Sequence, residues 1–479
     1  MEREQERTFN LEKKLLSILL LFGLLCVFIT PPFQMADEDS HFKRAYTVAV
    51  VDLIPQANQH GELGFYLPKA IMDFEASYRY MKADTTQKFN YQQYYAATTT
   101  AVNYSEKVFS EFSTVETNPL LYLPQAFAMV FFKSLIYFCS LGKAELITPI
   151  SYMYAGRIGN LLFFIFCAYT AIKLIPFYKR VLFLIVCMPM TLGLVSSMSY
   201  DCMVIGICIL FVSLVFHLAF NKQPENIEKK HIIILCILSF MLIELKQVYF
   251  PLILIFLLIP KEKFFNFKTR ITYFILISFS GIVSYLIWSV MSQIHGDLSE
   301  KGSSGEQLAF IINHPIQYIE VILRTFYQLS FFYTNSFIGN LGWLDTNFPP
   351  TFIYLYCLFI LLFAVIDGTS NIKVTIKQKL TILATFIISV LLIETGLYLT
   401  WTSKPEIGGV GYPTVSGVQG RYFIPIMILF LMIFYNNKLS IHHKINREEL
   451  SDSILVTFCM FSSILMLFFI ITRYWIPMS

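Results

Sequence analysis

Apolar positions in this chain neither alternate nor mark one face of a helix; they come as nearly unbroken blocks separated by short polar stretches. Blocks of about 17 to 25 residues, wound at roughly 1.5 Å per residue, are long enough to cross the hydrocarbon of a bilayer. The pattern predicts spanning helices at 15–30, 150–174, 181–198, 203–220, 271–291, 351–367, 379–399, 421–436 and 452–472, with a hairpin of two short helices over 232–260. The block 121–139 is also apolar enough, but a crossing there reverses the side of everything downstream. Its entry, Asn118-Pro119-Leu120-Leu121-Tyr122-Leu123-Pro124, carries two prolines and predicts a re-entrant or interfacial helix, with a true crossing as the rival.

Composition agrees with the pattern. The chain of 479 residues is 56% hydrophobic and 14% charged, against about 25% charged in soluble domains, so lipid must serve as its solvent. The fold class expected is an all-α polytopic membrane protein with about 11 to 13 transmembrane helices. Basic residues gather at Lys179-Arg180, at Lys222 with Lys229 and Lys230, at Lys261 to Arg270, at Lys373 to Lys379 and at Lys438 to Arg447. Placed inside with Arg3, Arg7, Lys13 and Lys14, they give one consistent topology. Residues 1–14 are then cytoplasmic, 15–30 the first helix, 31–120 an extracytoplasmic cap loop, and 121–291 a transmembrane bundle with the re-entrant segment. A second outer segment covers 292–350, and 351–479 forms a C-terminal bundle with an outer loop at 400–420 and an extracytoplasmic C-terminus. Pro31-Pro32-Phe33 is no small-residue cleavage site, so 15–30 reads as an anchor rather than a signal peptide. The stretch 31–120, with Tyr78, Tyr80, Tyr91, Tyr94 and Tyr95, is expected to fold as a small helical cap.

A net charge of +4 without a basic stripe leaves no nucleic-acid footprint. Cysteines stand singly, mostly in apolar blocks, without metal-type spacing. No phosphate-binding glycine loop, dinucleotide fingerprint or zinc-protease motif is present, and no nucleophilic triad can be assembled.

Acids and cations instead collect at one membrane face. After the first block come Asp37, Glu38, Asp39 and His41, where a carboxylate can take a proton from a hydroxyl and His41 or Arg44 can orient it or bind an anion; the plainer reading is a solvated helix start. Asp201 lies between two spans, as a site acid or as a helix cap. Arg157 falls inside or at the rim of a span and needs an acidic or phosphate partner unless it snorkels. Lys246 sits at the hairpin apex, facing a phosphate or pairing locally with Glu244. Arg421 opens a helix from outside, where guanidinium and helix end act together on an anion, or else anchors the interface with Tyr422.

These residues resemble the DUF2142 family of bacterial multi-pass membrane proteins, itself similar to the GT-C glycosyltransferase architecture. The resemblance rests on Pro32 to His41 with Asp37-Glu38-x-x-His41, on Ser199-Tyr200-Asp201, on Lys246-Gln247-Val248-Tyr249, on Gly339 to Asp345 and on Gly420-Arg421-Tyr422-Phe423-Ile424-Pro425. It implies transfer of a sugar from a polyprenyl-phosphate-linked donor in the membrane lipid to an envelope glycan or protein. Asp37 or Glu38 would be the base. Asp39, His41 and Asp201 would tune it or bind substrate, Arg157, Lys246 and Arg421 would hold the donor phosphate, and Asp345 and Tyr422 would join the substrate-binding set. No cofactor is firmly implied and a divalent metal is optional. The rival readings are a carrier or flippase of a lipid-linked glycan, whose acids only recognise hydroxyls, and an assembly partner whose polar residues are scattered and individually neutralised.

Overall fold

The computed structural model describes residues 2–142, 147–223, 225–293, 302–369, 372–436 and 445–477. Helix α1 (Glu2–Ile29) runs through the first apolar block and stops ahead of Pro31-Pro32, which can neither donate to nor continue a helix. The chain reverses over a corner in which Phe33 and Asp37 both take left-handed backbone, at φ 62° and 61°. That conformation is uncommon for residues other than glycine, although aspartate tolerates it better than most. Helix α2 (Glu38–Ala49) follows at once and is almost wholly buried.

The cap is not purely helical, as the sequence had suggested. Strands β1 (Gln56–Ala57), β2 (Leu63–Pro68) and β3 (Lys107–Ser110) form an antiparallel sheet in the order β1-β2-β3, with Phe65 opposite Ser110 and Leu67 opposite Val108. Its cause is a short alternation: Phe65 and Leu67 are buried and Tyr66 is exposed, the period-two pattern of a half-buried strand. Helices α3 (Lys69–Ala76) and α4 (Tyr91–Thr99) connect β2 to β3.

A 3-10 turn at Pro119–Tyr122 leads into α5 (Leu123–Cys139), and the two together are long and apolar enough to cross a membrane. The helix packs beside α6 (Pro149–Leu174). A side chain on Gly159 would run into the Pro124 carbonyl, while Lys133 stands 5.0 Å over the Tyr104 ring and the Tyr104 hydroxyl lies 2.8 Å from that of Tyr152. Helix α5 therefore runs antiparallel to the cap-side half of α6, with Phe127, Phe131 and Phe138 turned outward.

The block 181–198 is two helices, α7 (Lys179–Val186) and α8 (Pro189–Val195), broken where Pro189 cannot donate its backbone hydrogen bond. Apart from Lys179, both are enclosed by protein, where irregular backbone at membrane depth is tolerated. Helix α9 (Asp201–Phe220) is the most buried candidate span. The expected hairpin is formed by α10 (Lys229–Leu245) and a 3-10 helix, Gln247–Leu258, that carries Pro251 inside it. There follow α11 (Phe267–Gln293), α12 (Gly302–Asn313), α13 (Pro315–Ile338), α14 (Pro350–Ile366) and α15 (Ile376–Leu397), so the segment 292–350 is largely helical where described. Pro425 gives the next block a 3-10 start, Gly420–Ile426, before the short α16 (Met427–Leu431), and α17 (Ile445–Tyr474) closes the chain. Residues 438–444 of the last basic stretch lie outside the described residues.

Among the described residues, six helices are long and apolar enough to cross a membrane: Pro119–Cys139, Pro149–Leu174, Asp201–Phe220, Phe267–Met291, Ile376–Thr402 and Glu449–Tyr474. Two polar ends bound the bundle. At one, Arg180 joins Asp367 (2.9 Å) and Asp452 (2.7 Å), near the Lys179–Glu12 pair. At the other, the cap is tied to the end of α17: the Phe89 N–H donates to the Tyr474 carbonyl at 2.7 Å, Lys88 donates to the Arg473 carbonyl at 2.8 Å, and the Trp475 ring lies 4.4 Å from that of Phe89.

Candidate functional site

Four elements bring charged side chains together beneath the cap. Arg421, at the start of the 3-10 turn that follows Gly420, extends its guanidinium between two carboxylates. Its Nη2 donates to Asp37 Oδ2 at 3.1 Å, and its Nη1 stands 3.6 Å from Asp201 Oδ2. Lys246, between the hairpin helices, reaches Asp201 Oδ1 at 3.4 Å. The Tyr422 ring lies 4.1 Å from the Lys246 ammonium and 5.4 Å from the Arg421 guanidinium, and its carbonyl accepts from the Tyr249 hydroxyl at 2.8 Å. Tyr200, ahead of Asp201, offers Lys246 a second ring at 5.3 Å.

Close approach of this segment depends on Gly420, where any side chain would run into the carbonyl of Tyr333 on α13. Asp201 opens α9, yet its carboxylate goes to the cations and not to a helix cap; the Asp201 N–H is satisfied by Ser199 Oγ at 3.1 Å.

The four charges are not equally committed. Arg421 is 5% exposed and its Nε is buried without a hydrogen-bond partner, whereas the Asp37 side chain is 48% exposed. A buried guanidinium with an unsatisfied N–H retains capacity for another acceptor. His41 lies within electrostatic reach of Asp37, Asp201, Arg421 and Lys246, and burial pushes its pKa below the ordinary value against the pull of the two aspartates. Its Nδ1 shares a 2.9 Å hydrogen bond with the Tyr122 hydroxyl, and its ring meets Tyr200 edge-on at 4.8 Å.

Several residues expected at a common site are spent elsewhere. Glu38 and Arg157 form a wholly buried pair, with Nε and Nη2 donating to the two carboxylate oxygens at 2.8 and 2.7 Å. Arg157 fills its remaining capacity with the carbonyls of Val27, Thr30 and Pro31, and Glu38 also accepts from the Met198 N–H at 3.0 Å. Asp39 accepts from the Ser40 N–H and faces Lys82 of the cap at 3.7 Å. Asp345 is bound by Arg473 at 2.7 Å, in a clamp that also draws in the Met81 and Gln87 carbonyls. In the same motif Trp343 donates to the Phe33 carbonyl at 3.0 Å, so Gly339 to Asp345 fastens the cap and the Asp37 corner to the bundle. Arg44 is committed to the carbonyls of Thr117 and Leu53. Glu244 turns from Lys246 to Asn118 and Ser284.

An apolar groove of about 480 Å³ flanks the segment that carries Arg421, on its α13 to α15 side; Phe326, Tyr333, Ile360, Val390, Phe423 and Phe430 line it. The hydroxyl of Tyr333 donates at 3.3 Å to Glu394, a buried acid within α15 whose other oxygen has no hydrogen-bond partner. Sequence reasoning missed Glu394, although a lone acid in the apolar block 379–399 was the signal for it. Tyr200 and Tyr122 were missed as well, and nothing in their spacing announced them. Among the described residues, no group of three or more His, Cys, Asp or Glu side chains is arranged to hold a metal ion.

A sequence model of the family described as predicted membrane protein (DUF2142) matches residues 20–430, most of the chain. No curated protein and no solved structure matches it.

Proposed function

The chain belongs to the DUF2142 family of predicted membrane proteins, and on that premise we propose that it is a GT-C-like glycosyltransferase using a polyprenyl-phosphate-linked sugar. In this reading the shorter and broken apolar helices complete a bundle of about 11 to 13 crossings. The N-terminus is cytoplasmic, and the cap, the site and the end of α17 are extracytoplasmic, as the basic stretches favour. The acceptor is a hydroxyl of an envelope glycan or protein.

One observation carries the proposal: a half-exposed carboxylate, Asp37, rests on a buried guanidinium, Arg421, with Asp201 and Lys246 in the same cluster. Asp37, Asp201, Arg421 and Lys246 together are neutral when ionised. A phosphodiester brings one negative charge and takes the place of Asp37 on Arg421, and the unpartnered Nε supplies a further donor. Released, Asp37 accepts the proton of the acceptor hydroxyl as its oxygen bonds to the anomeric carbon. The bond from that carbon to the phosphate oxygen breaks, and the electron pair leaves with the polyprenyl phosphate, stabilised by Arg421 and Lys246. A single displacement inverts the anomeric centre.

Asp37 is preferred to Glu38 as base because both oxygens of Glu38 already accept from Arg157. His41 and Tyr422 hold the acid and the cations in place. Glu38, Arg157, Asp39 and Asp345 support the corner and the cap rather than the substrate. The groove beside Phe423 suits the isoprenoid chain, an apolar volume on the segment that bears the phosphate-binding arginine. The scheme routes no step through a metal.

The test is sugar release from a panel of radiolabelled polyprenyl-phosphate sugars by the purified protein, with membrane-derived glycan as acceptor. Turnover that disappears in Asp37→Asn while donor binding persists is the expected result. Tight donor binding without turnover in the unaltered protein, across the panel, overturns the transferase and leaves a carrier.

A further inference from the structure

The cap contains a second concavity that the scheme above does not use. It is a cleft of about 390 Å³ between α3 and α4, open to the surface, with Pro149 of α6 in its lining. That volume is in the range of small-molecule sites, roughly 300–1,000 Å³. Its lining mixes charge and polarity: Asp73, Glu106 and Lys69 carry charge, Gln93 and Asn103 carry amides, and Ser77 and Thr100 carry hydroxyls that donate to the Phe74 and Ala96 carbonyls at 2.8 Å. The lining also includes Ala70, Ala96, Ala97 and Ala101, whose small side chains give it apolar ground. Gln93 Oε1 is buried without a hydrogen-bond partner.

Donors and acceptors spaced around an apolar floor complement a sugar ring, whose hydroxyls surround a C–H face. Lys69 answers Glu106 at 3.0 Å, so with Asp73 the lining carries a net negative charge. That repels uronic acids and phosphates and leaves uncharged or amino sugars. The back of α3 faces the catalytic corner: the Phe74 ring lies 5.0 Å from that of Phe33 and 6.0 Å from that of Phe42. The cleft and the Asp37 turn thus share one aromatic support.

We infer that this cleft binds a segment of an uncharged or amino-sugar glycan. Its role as the holding site for the acceptor chain rests on the transferase reading; the binding itself does not.

The experiment applies fluorescently labelled full-length protein in detergent to an array of neutral, amino-sugar and acidic oligosaccharides, beside Ala96→Trp, which fills the cleft from an exposed position, and Asp37→Asn. The protein is expected to bind one or more neutral or amino-sugar oligosaccharides, Ala96→Trp to lose at least tenfold of that signal at unchanged melting temperature, and Asp37→Asn to keep it. Binding confined to acidic oligosaccharides, binding that survives Ala96→Trp, or no binding at all overturns the inference. Absent turnover with intact cleft binding counts against the transferase alone.

Discussion

Each end of the helical bundle buries an arginine between two aspartates, and the two arrangements are finished differently. At the basic end, Arg180 donates to Asp367 and Asp452 at 2.9 and 2.7 Å, and the second oxygen of Asp367 accepts the backbone N–H groups of Arg180 and Val181. Nearby, Tyr178 ties the carbonyls of Ala364 and Leu431 together at 2.6 and 3.0 Å. The Asp367 side chain is almost wholly enclosed. At the cap end, Arg421 has longer contacts, an unpartnered Nε and one carboxylate open to solvent. Charge pairs of like composition therefore serve unlike purposes. A pair whose enclosed carboxylate has both oxygens engaged joins helices, and a pair left short of partners is available to a ligand.

Substitution should separate the two most sharply at their aspartates. Asp37→Asn is expected to lower turnover by about 100- to 10,000-fold, the usual contribution of a positioned base, with no change in thermal unfolding. Asp367→Asn is expected to destabilise the protein by about 3–5 kcal/mol, as when a buried pair loses one partner, while any folded fraction turns over normally. Loss of turnover in folded Asp367→Asn protein would break the contrast. Glu38→Gln sharpens it from next door, because this neighbour of Asp37 should behave like Asp367 and fail in stability, read by melting in detergent.

Next in size is Arg421→Ala, for which a loss of about 100- to 1,000-fold in turnover is expected, as for removal of a charge-stabilising donor. Arg421→Lys should recover only part of it, since an ammonium lacks the rigid planar fork of a guanidinium. Tyr422→Leu removes one cation–π partner, worth about 1 kcal/mol, and should raise the donor KM several-fold at nearly constant kcat. The smallest effect concerns pH. Because burial depresses the pKa of His41 in the folded protein, its contribution to stability is complete above the ordinary value of about 6.5 and is lost as pH falls from there through the depressed one. Melting temperature should decline over that interval, and less so in His41→Gln.

Much of this is legible in the sequence. In a chain so poor in charge, each ionised side chain near an apolar block needs a partner, and Asp37, Asp201, Lys246 and Arg421, drawn from four separate motifs, do find one another. Glu38 could not be told from Asp37. The two are adjacent, and their fates divide at one left-handed residue that sends one carboxylate to solvent and the other into the bundle, a distinction no periodicity carries. Arg157 was recognised as a charge needing a partner and Asp345 only as part of a motif, but their partners, Glu38 and Arg473, lie 119 and 128 residues away. The sheet escaped notice because four to six residues of alternation are inconspicuous among long apolar blocks. The break between α7 and α8 was announced by Pro189, a signal outweighed by the continuous hydrophobicity around it.

The clasp between the cap and residues 473–475 also bears on how the molecule is made. The cap leaves the ribosome early, and Phe89, Lys88 and Met81 then wait through the synthesis of the helices from α5 to α16 for the backbone and guanidinium that complete them. Until α17 is inserted, the corner bearing Asp37 lacks the Trp475 bond to the Ile29 carbonyl and the Asp345–Arg473 anchor. Assembly is thus ordered in time: a helix made late closes a segment made early, and a chain stopped before α17 carries its acids without the frame that aims them.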